Sequence, residues 1–331
     1  MNPAGIVLGL LGPCLSCAAL QEAPQTKKPG VSSPDVRIPI EKLVPDAVFE
    51  VPGAPDWLAV DAQVWVSNAP KDNVGRLDPK TNKVVELITV GKEPGSGLAA
   101  GFGSLWVPNC GDSTLTRIDL STGKPTATFP MTFADAEGGI ATGAGSVWLL
   151  TDLRSTLARI DPATNKIVAQ IRVAPGSAAV AFGEKSVFVT SPKESVLTRV
   201  DPQTNLIVET IKVGPGPRFL AVGEGSVWTL NQGDGSISRV DLATNKVVAT
   251  IQAGIPGGGG EIAVGEGSVW ATSFGYPITR IDPKTNTVVQ QFFGPGGDSI
   301  RVGLGSVWLS NLRAGNVWRL DPRRIEATRA N

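Results

Sequence analysis

Eight charged and aromatic residues interrupt an internal repeat at the start of its units, and they are the first candidates for chemistry. At the positions of seven of them the other units of this 331-residue chain place glycine, alanine or serine, and Glu137 lies just before the start of its unit. Carboxylates there could act as a general base or bind a hard cation. Arginine pairs with anionic groups, and aromatic rings provide stacking surface. The candidates are Asp56, Trp57, Glu137, Arg218, Phe219, Glu261, Asp298 and Arg301, with Tyr276 on a neighbouring loop.

Arg301 is the clearest of these departures, because the six other units have alanine at its position. An unpaired arginine is costly to bury, so a carboxylate is expected beside it, with Asp298 and Glu261 as the candidates. Charged and aromatic groups gathered at one pore mouth suit a small molecule or a peptide. The alternative is sequence variation on a solvated rim.

The chain contains no histidine, which removes the commonest general base and the commonest transition-metal ligand. Carboxylate oxygens remain, so a metal site here would take Mg²⁺ or Ca²⁺, with Glu137, Glu261 and Asp298 as candidate ligands. Cys110 has no histidine beside it to activate the thiol. The sequence therefore assigns no catalytic residue and requires no cofactor.

The charge balance argues against a nucleic-acid partner. Thirty basic residues match thirty acidic ones, and binding to nucleic acid depends on neutralising phosphates. We expect a small molecule, a peptide or a protein as partner, and a monomeric chain.

Two sequence features recur about every forty residues, and each occurs seven times, which indicates seven repeat units. Four short strands per unit at this period are typical of a β-propeller. The chain is therefore predicted to be all-β, with a seven-bladed propeller of four-stranded antiparallel blades over residues 47–322. The first feature is an aromatic residue, at Trp65, Trp106, Trp148, Phe188, Trp228, Trp270 and Trp308. The second is Arg-x-Asp, starting at Arg76, Arg117, Arg159, Arg199, Arg239, Arg280 and Arg319.

The repeat residues are predicted to be structural: the tryptophans form the core, and the Arg-x-Asp pairs form ion pairs and brace loops between blades. The turn after each pair needs a left-handed residue, which explains asparagine in five units and Gly123 in a sixth. The seventh unit has no fourth strand after Asp321, whereas a strand-like segment, 47–52, precedes the first unit. This N-terminal strand is expected to complete the last blade and close the ring.

The N-terminal region has a different character. Residues 1–20 carry no charge and contain a short apolar run followed by small residues, which predicts a signal peptide or lipoprotein signal peptide with Cys17 as the lipidation site. The chain is then exported, periplasmic or extracellular, and lipid-anchored if Cys17 is modified. A disordered cytosolic tail is the alternative. The apolar run is too short for a transmembrane span. Residues 21–46 are a Pro/Lys/Ser-rich linker, and 323–331 a C-terminal tail.

The sequence Gly-Ser-Val-Trp, followed by Arg-Ile-Asp-Pro-x-Thr-Asn-Lys-Val-Val, resembles YVTN/YncE-type repeats and the related streptogramin (virginiamycin B) lyase-type propellers. The resemblance covers residues 47–322 and implies the propeller fold. Those lyases open a cyclic depsipeptide ester by elimination, with histidine as general base and a bound magnesium ion. This chain has no histidine for that role.

Three functions follow from these observations. The first is a non-catalytic exported binding or scaffold module that recognises a partner at the pore mouth. The second is a streptogramin-lyase-like or lactonase-like enzyme, with Glu137, Glu261 or Asp298 as base and a divalent cation. The third, DNA binding, conflicts with the balanced charge.

Overall fold

The structure is a computed structural model that describes residues 30–31, 34–95, 97–134, 137–152, 155–255 and 257–330. The predicted signal peptide, Cys17 and the first part of the predicted linker lie outside these residues. None of the described helices has the length and apolar character needed to cross a membrane.

Short strands rich in valine, isoleucine and tryptophan alternate with Gly-, Pro- and Asn-containing turns, and they form seven sheets. Two strands precede the first blade, β1 (Arg37–Pro39) and β2 (Ala47–Glu50). The first four blades contain β3 (Pro55–Val60), β4 (Val64–Asn68), β5 (Asn73–Asp78), β6 (Lys83–Thr89); β7 (Ala99–Gly101), β8 (Ser104–Asn109), β9 (Thr114–Asp119), β10 (Pro125–Pro130); β11 (Ile140–Gly143), β12 (Ser146–Leu150), β13 (Thr156–Asp161), β14 (Lys166–Arg172); and β15 (Val180–Gly183), β16 (Ser186–Ser191), β17 (Val196–Asp201), β18 (Leu206–Lys212). The last three contain β19 (Pro217–Gly223), β20 (Ser226–Asn231), β21 (Ser236–Asp241), β22 (Lys246–Ile251); β23 (Glu261–Gly265), β24 (Ser268–Ser273), β25 (Tyr276–Asp282), β26 (Thr287–Phe293); and β27 (Ile300–Gly303), β28 (Ser306–Asn311), β29 (Asn316–Leu320).

The ring is closed by β2, which is the fourth strand of the seventh blade. It pairs antiparallel with β29 and places Phe49 opposite Val317. Phe49 is buried, and its ring centroid lies 5.8 Å from that of Trp308. The predicted seven-bladed fold and its closure by an N-terminal strand are confirmed.

The end of the predicted linker is folded against the propeller, which the sequence reading did not anticipate. Strand β1 pairs in parallel with the outer strand β26, so the sixth blade has five strands. Ile38, Ile40 and Leu43 are buried there although prolines surround them. Short 3₁₀ turns cover Pro34–Val36, Ile40–Lys42 and, elsewhere, Ala69–Lys71.

The predicted C-terminal tail also begins with regular structure. Asp321 caps the short helix α1 (Pro322–Ala327) by accepting a hydrogen bond from the Arg323 backbone. Ile325 of this helix is fully buried in the same apolar cluster as Ile38 and Ile40. The two ends of the described chain therefore pack together beside the sixth and seventh blades.

The repeat tryptophans form the core, as predicted. All six, and Phe188 in the fourth blade, have no exposed surface. Most indole nitrogens donate to a glycine carbonyl five residues earlier, as Trp148 does to Gly143 at 3.0 Å. Each ring is thus fixed against the hairpin of its own blade.

The arginine of the repeat braces its blade against the next one. Arg199 donates from Nε to Ser186 of its own blade at 3.0 Å. One terminal nitrogen reaches the Leu242 carbonyl and the Asn245 side chain of the following blade. The guanidinium also lies 5.8 Å from the ring centroid of Phe188. The predicted bracing between blades is confirmed.

The predicted ion pairs within the motif are wrong. Among the described residues, no motif arginine lies within ion-pair distance of the aspartate two positions later. Asp201 instead accepts hydrogen bonds from the Gln203 backbone and the Thr204 hydroxyl, which holds its own turn together. The turn ends at Asn205 with φ 59°, and Gly123 has φ 74°, so the left-handed position is confirmed.

Candidate functional site

All of the predicted site residues except Tyr276 lie where the connections between blades reach the inner strands, at one end of the central channel. We call this region the pore mouth and define it by Asp56, Trp57, Glu137, Arg218, Phe219, Glu261, Asp298, Ser299 and Arg301. Direct contacts or electrostatic coupling link all of these residues across five blades.

Two inner strands carry β-bulges at the pore mouth. The pairing of β3 with β4 shifts between Pro55 and Leu58, and that of β19 with β20 shifts between Pro217 and Phe219. The pairings recorded for the other five inner strands have no such shift. Bulges redirect side chains and are frequent beside functional sites. Here they fall at Asp56–Trp57 and at Arg218, the residues that depart from the repeat.

The aromatic residues of these two blades meet across the channel. The ring centroids of Trp57 and Phe219 are 5.9 Å apart, with their planes tilted by 55°. Trp57 also lies against Gly138 of the third blade, where an added Cβ would be 3.1 Å from the indole. Because Trp57 touches the third and fifth blades from the first, its ring closes the channel at this end. We call Trp57 and Phe219 the aromatic plug.

Glu261 and Arg301 form the buried charged pair of the pore mouth, which settles the predicted choice of partner for Arg301. The Glu261 side chain is 4% exposed and that of Arg301 29%. Burial raises the pKa of Glu261, whereas Arg301 and the hydrogen bonds from Ser299 and the Ile300 backbone oppose that rise. The Arg301 guanidinium lies 5.9 Å from the ring centroid of Trp57. The pair therefore supports the plug from the sixth and seventh blades.

Ser299 was not among the predicted site residues, yet it connects three blades. Its hydroxyl donates to Glu261 at 2.5 Å and accepts a hydrogen bond from the Leu58 backbone at 3.2 Å. The other six units have no serine at this repeat position, so the sequence carried one weak signal: a serine directly after Asp298.

Asp56 and Asp298 form a carboxyl pair, and no described arginine or lysine lies within ion-pair distance of either. Their side chains hydrogen-bond to each other, which requires a shared proton. Burial, then the charge of Asp298, raises the pKa of Asp56 well above its usual value. Burial raises the pKa of Asp298 to about 6, with added repulsion from Glu137 and Glu261. A carboxylate of this kind changes its charge near neutral pH, as acid–base groups in active sites do.

Glu137 and Arg218 form a more exposed pair on the rim. Their side chains are 43% and 35% exposed, with a shortest contact of 3.4 Å. The Arg218 guanidinium lies 5.7 Å from the ring centroid of Phe219. Solvent screens such a pair, so it contributes little to stability and remains available to a ligand.

Tyr276 lies apart from the contacts that define the pore mouth. Its hydroxyl accepts a hydrogen bond from the Gly30 backbone at 3.0 Å, beside Gln291 on the outer strand. The asparagines of the neighbouring loops are used structurally. Asn68 accepts from the Ala54 backbone, and Asn311 accepts from the Gly297 backbone.

The candidate metal ligands do not form a shared site. Within the described ranges, no group of three or more His, Cys, Asp or Glu side chains is placed to hold a metal ion. Glu137 and Glu261 are each paired with an arginine. We therefore derive no metal-dependent step from these residues.

Two buried polar atoms, one in the pore mouth and one on the strand beside it, have no hydrogen-bond partner in the described structure. They are the indole nitrogen of Trp57 and the hydroxyl of Thr272, which pairs with Glu261 in the sheet. Buried polar atoms in folded proteins are nearly always satisfied, so unpaired ones call for an explanation such as water or a ligand.

No model of a known protein family matches the chain, and no curated protein matches it. Solved structures do match. One described as a streptogramin B lyase is 18% identical and covers 88% of this chain and 95% of its own, with a TM-score of 0.65. Virginiamycin B lyase from Staphylococcus aureus is 15% identical, with coverages of 82% and 97% and a TM-score of 0.68. A catalytically inactive variant of that enzyme with quinupristin is 16% identical, with coverages of 80% and 94% and a TM-score of 0.67.

At these identities the likeness shows the fold alone. This chain shares the propeller architecture of streptogramin B lyase structures over most of its length. The resemblance to YVTN/YncE repeats remains a prediction from the sequence.

Proposed function

We propose that this propeller binds a small molecule or a peptide at the pore mouth. One observation carries the proposal. The eight residues that differ from the repeat come from five blades, and they form one cluster at one end of the channel. Sequence drift on a solvated rim would not place its aromatic residues in contact across the axis. The two unpaired polar atoms and the exposed Arg218–Glu137 pair offer a ligand hydrogen bonds.

Thermal shift of the full chain tests this proposal. The screen uses sugars, peptides, amines, lactones and quinupristin, since a ligand that binds only the folded state raises the apparent unfolding temperature. Arg218→Gln should reduce the shift with little loss of fold stability, because its ion pair is exposed. Arg172→Gln, at an exposed outer-strand position, is the matched control and should keep the full shift. An equal shift in all three proteins would place binding elsewhere.

A second candidate is an acid–base enzyme of the lyase or lactonase type, supported by the carboxyl pair. Burial raises the pKa of Asp298 to about 6, and the hydrogen bond from Asp56 opposes that rise, so Asp298 is the partner that carries the negative charge. We therefore assign the role of base to Asp298. In an elimination it would take a proton from the carbon next to the ester-bearing carbon, and the carbon–oxygen bond would break without water. In a hydrolysis it would activate a water molecule.

Liquid chromatography with mass spectrometry separates these reactions, with quinupristin as the probe. A new product of unchanged mass indicates elimination, and a gain of one water indicates hydrolysis. Asp298→Asn should abolish either product, whereas Glu266→Gln, at an exposed hairpin position, should not. Recovery of unchanged quinupristin after prolonged incubation would contradict catalysis on this substrate.

Export belongs to the same proposal, because the uncharged segment 1–20 resembles a signal peptide. Cell fractionation and the mass of the mature N-terminus test it. A lipid on Cys17 adds the mass of an acylated cysteine, and a cytosolic full-length chain would contradict export.

A further inference from the structure

We propose that the Asp56–Asp298 carboxyl pair is a proton-operated latch that holds the aromatic plug closed and releases it when the shared proton is lost. This goes beyond ligand binding, because it assigns a conformational control to the channel. It rests on geometry: the latch residue and the plug residue are neighbours in one β-bulge.

The bulge couples the two residues mechanically. Asp56 and Trp57 follow Pro55, the last residue in register with β4 before the shift, and pairing resumes at Leu58. The Trp57 backbone is held by the Ser67 hydroxyl at 3.0 Å. A bulge leaves its extra residue unpaired and interrupts the ladder locally, so Asp56 and Trp57 are not both fixed by pairing with β4. A displacement of Asp56 therefore carries Trp57 with it.

Among the described contacts, a shared proton links the two carboxyl groups. With this proton, one carboxyl group donates a hydrogen bond to the other, which joins the seventh blade to the first. Without it, two like charges face each other in a largely buried setting, where repulsion is stronger than in water. Asp56 lies in the bulge of β3, where the ladder is interrupted, so Asp56 is the partner expected to move.

The charged groups around the pair reinforce this response. Glu137 before β11 and Glu261 on β23 both add negative charge, which favours retention of the proton. The nearby cations are committed elsewhere: Arg301 to Glu261, and Arg218 to Glu137. Hence no described neighbour neutralises the pair once its proton has gone.

The release would open the channel. Trp57 is 3% exposed when it contacts Phe219, Gly138 and Arg301. Past the plug, inner-strand side chains such as Val60, Phe182 and Val222 are only partly buried. Loss of the indole from the axis would expose both the ring and this inner surface. The plug is thus closed while the pair shares its proton and open at higher pH.

Acrylamide quenching of Trp57 fluorescence tests the latch on the full chain. The chain has eight tryptophans, so the signal of Trp57 is the difference between the wild type and Trp57→Phe. We expect its quenching constant to rise several-fold between about pH 5 and about pH 9. Global unfolding would also expose the six repeat tryptophans. Their quenching is measured in the Trp57→Phe protein and subtracted from that of the wild type.

Asp298→Asn is the decisive variant. Its amide can donate to the Asp56 carboxylate at every pH, so the ring should stay protected throughout the titration. Glu137→Gln is the control. Its quenching constant should still rise with pH, but the midpoint of the rise should lie at lower pH, because one negative charge that repels the pair has been removed. A pH-independent quenching constant in the wild type would overturn the latch, as would an unchanged rise in Asp298→Asn.

Discussion

The indole of Trp57 in the first blade packs against the ring of Phe219 in the fifth, with 5.9 Å between ring centroids. Blades that far apart in a ring have no shared strand edge, so this contact is possible only across the channel. Both rings are almost fully buried. The end of the channel that collects the charged residues is therefore closed by side chains.

Removal of the plug ring should be costly. Trp57→Ala is expected to lower the free energy of unfolding by about 3–5 kcal/mol, because the surrounding blades cannot collapse into the space. Trp57→Phe keeps an aromatic ring against Phe219 and should cost clearly less. Urea unfolding followed by circular dichroism measures both. Equal stability of wild type and Trp57→Ala would show that the ring is not packed in solution.

The Glu261–Arg301 pair predicts non-additive mutations. Glu261→Ala leaves Arg301 without its carboxylate and should cost about 3–5 kcal/mol, which is typical of breaking a buried pair from one side. Arg301→Ala restores the residue of the other six blades but leaves Glu261 buried and uncompensated. The double variant should therefore be more stable than the sum of the single losses predicts. Additive losses within roughly 0.5 kcal/mol would mean that the two side chains do not interact.

The same pair shows what the repeat could and could not predict. The positions of the site were readable, because Asp56, Arg218 and Asp298 occupy the same place in their units. Arg301 could have paired with Asp298 or Glu261, and only the structure shows that it is Glu261. A one-residue bulge changes the face on which a side chain lies, and no residue pattern marked the bulges in β3 and β19.

The regions outside the repeat were harder to predict. Ring closure was readable because residues 47–52 match the fourth strands of other units. Residues 37–43 match nothing in the repeat, and the prolines in and around this segment indicated a tether. They fold because β26 offers an unpaired edge and a shallow apolar surface for Ile38. Tertiary contacts, rather than local propensity, decide the structure there.

The arginine braces predict a chemical preference that charge alone does not explain. Arg199→Lys keeps the charge but loses the Nε hydrogen bond to Ser186 and the planar contact with Phe188. We expect a loss of about 1–2 kcal/mol in the free energy of unfolding. Arg172→Lys, at an exposed outer-strand position, should be nearly neutral. If Arg199→Lys leaves the free energy of unfolding unchanged, the brace depends only on the positive charge.

The raised pKa of Asp298 predicts that stability falls as pH rises. The pKa is about 6 in the folded chain and 3.8 for an unperturbed aspartate. Between these values the folded state keeps a proton that the unfolded state has lost, so the free energy of unfolding decreases with increasing pH. The rise in the pKa of Asp298 from 3.8 to about 6 corresponds to roughly 3 kcal/mol. Carboxylates with lowered pKa, such as Asp119, act in the opposite direction and at lower pH.

Urea unfolding at a series of pH values isolates this effect by difference. Asp298→Asn has no proton to lose, so its free energy of unfolding should change less than that of the wild type between about pH 4 and about pH 6. The difference between the two proteins should shrink or reverse as the wild type loses its proton. Asp234→Asn, an aspartate outside the pore mouth that accepts from Ser236, should follow the wild type through this range. Parallel profiles of wild type and Asp298→Asn would mean that Asp298 keeps its ordinary pKa in the folded protein. That result would contradict a proton shared between Asp56 and Asp298.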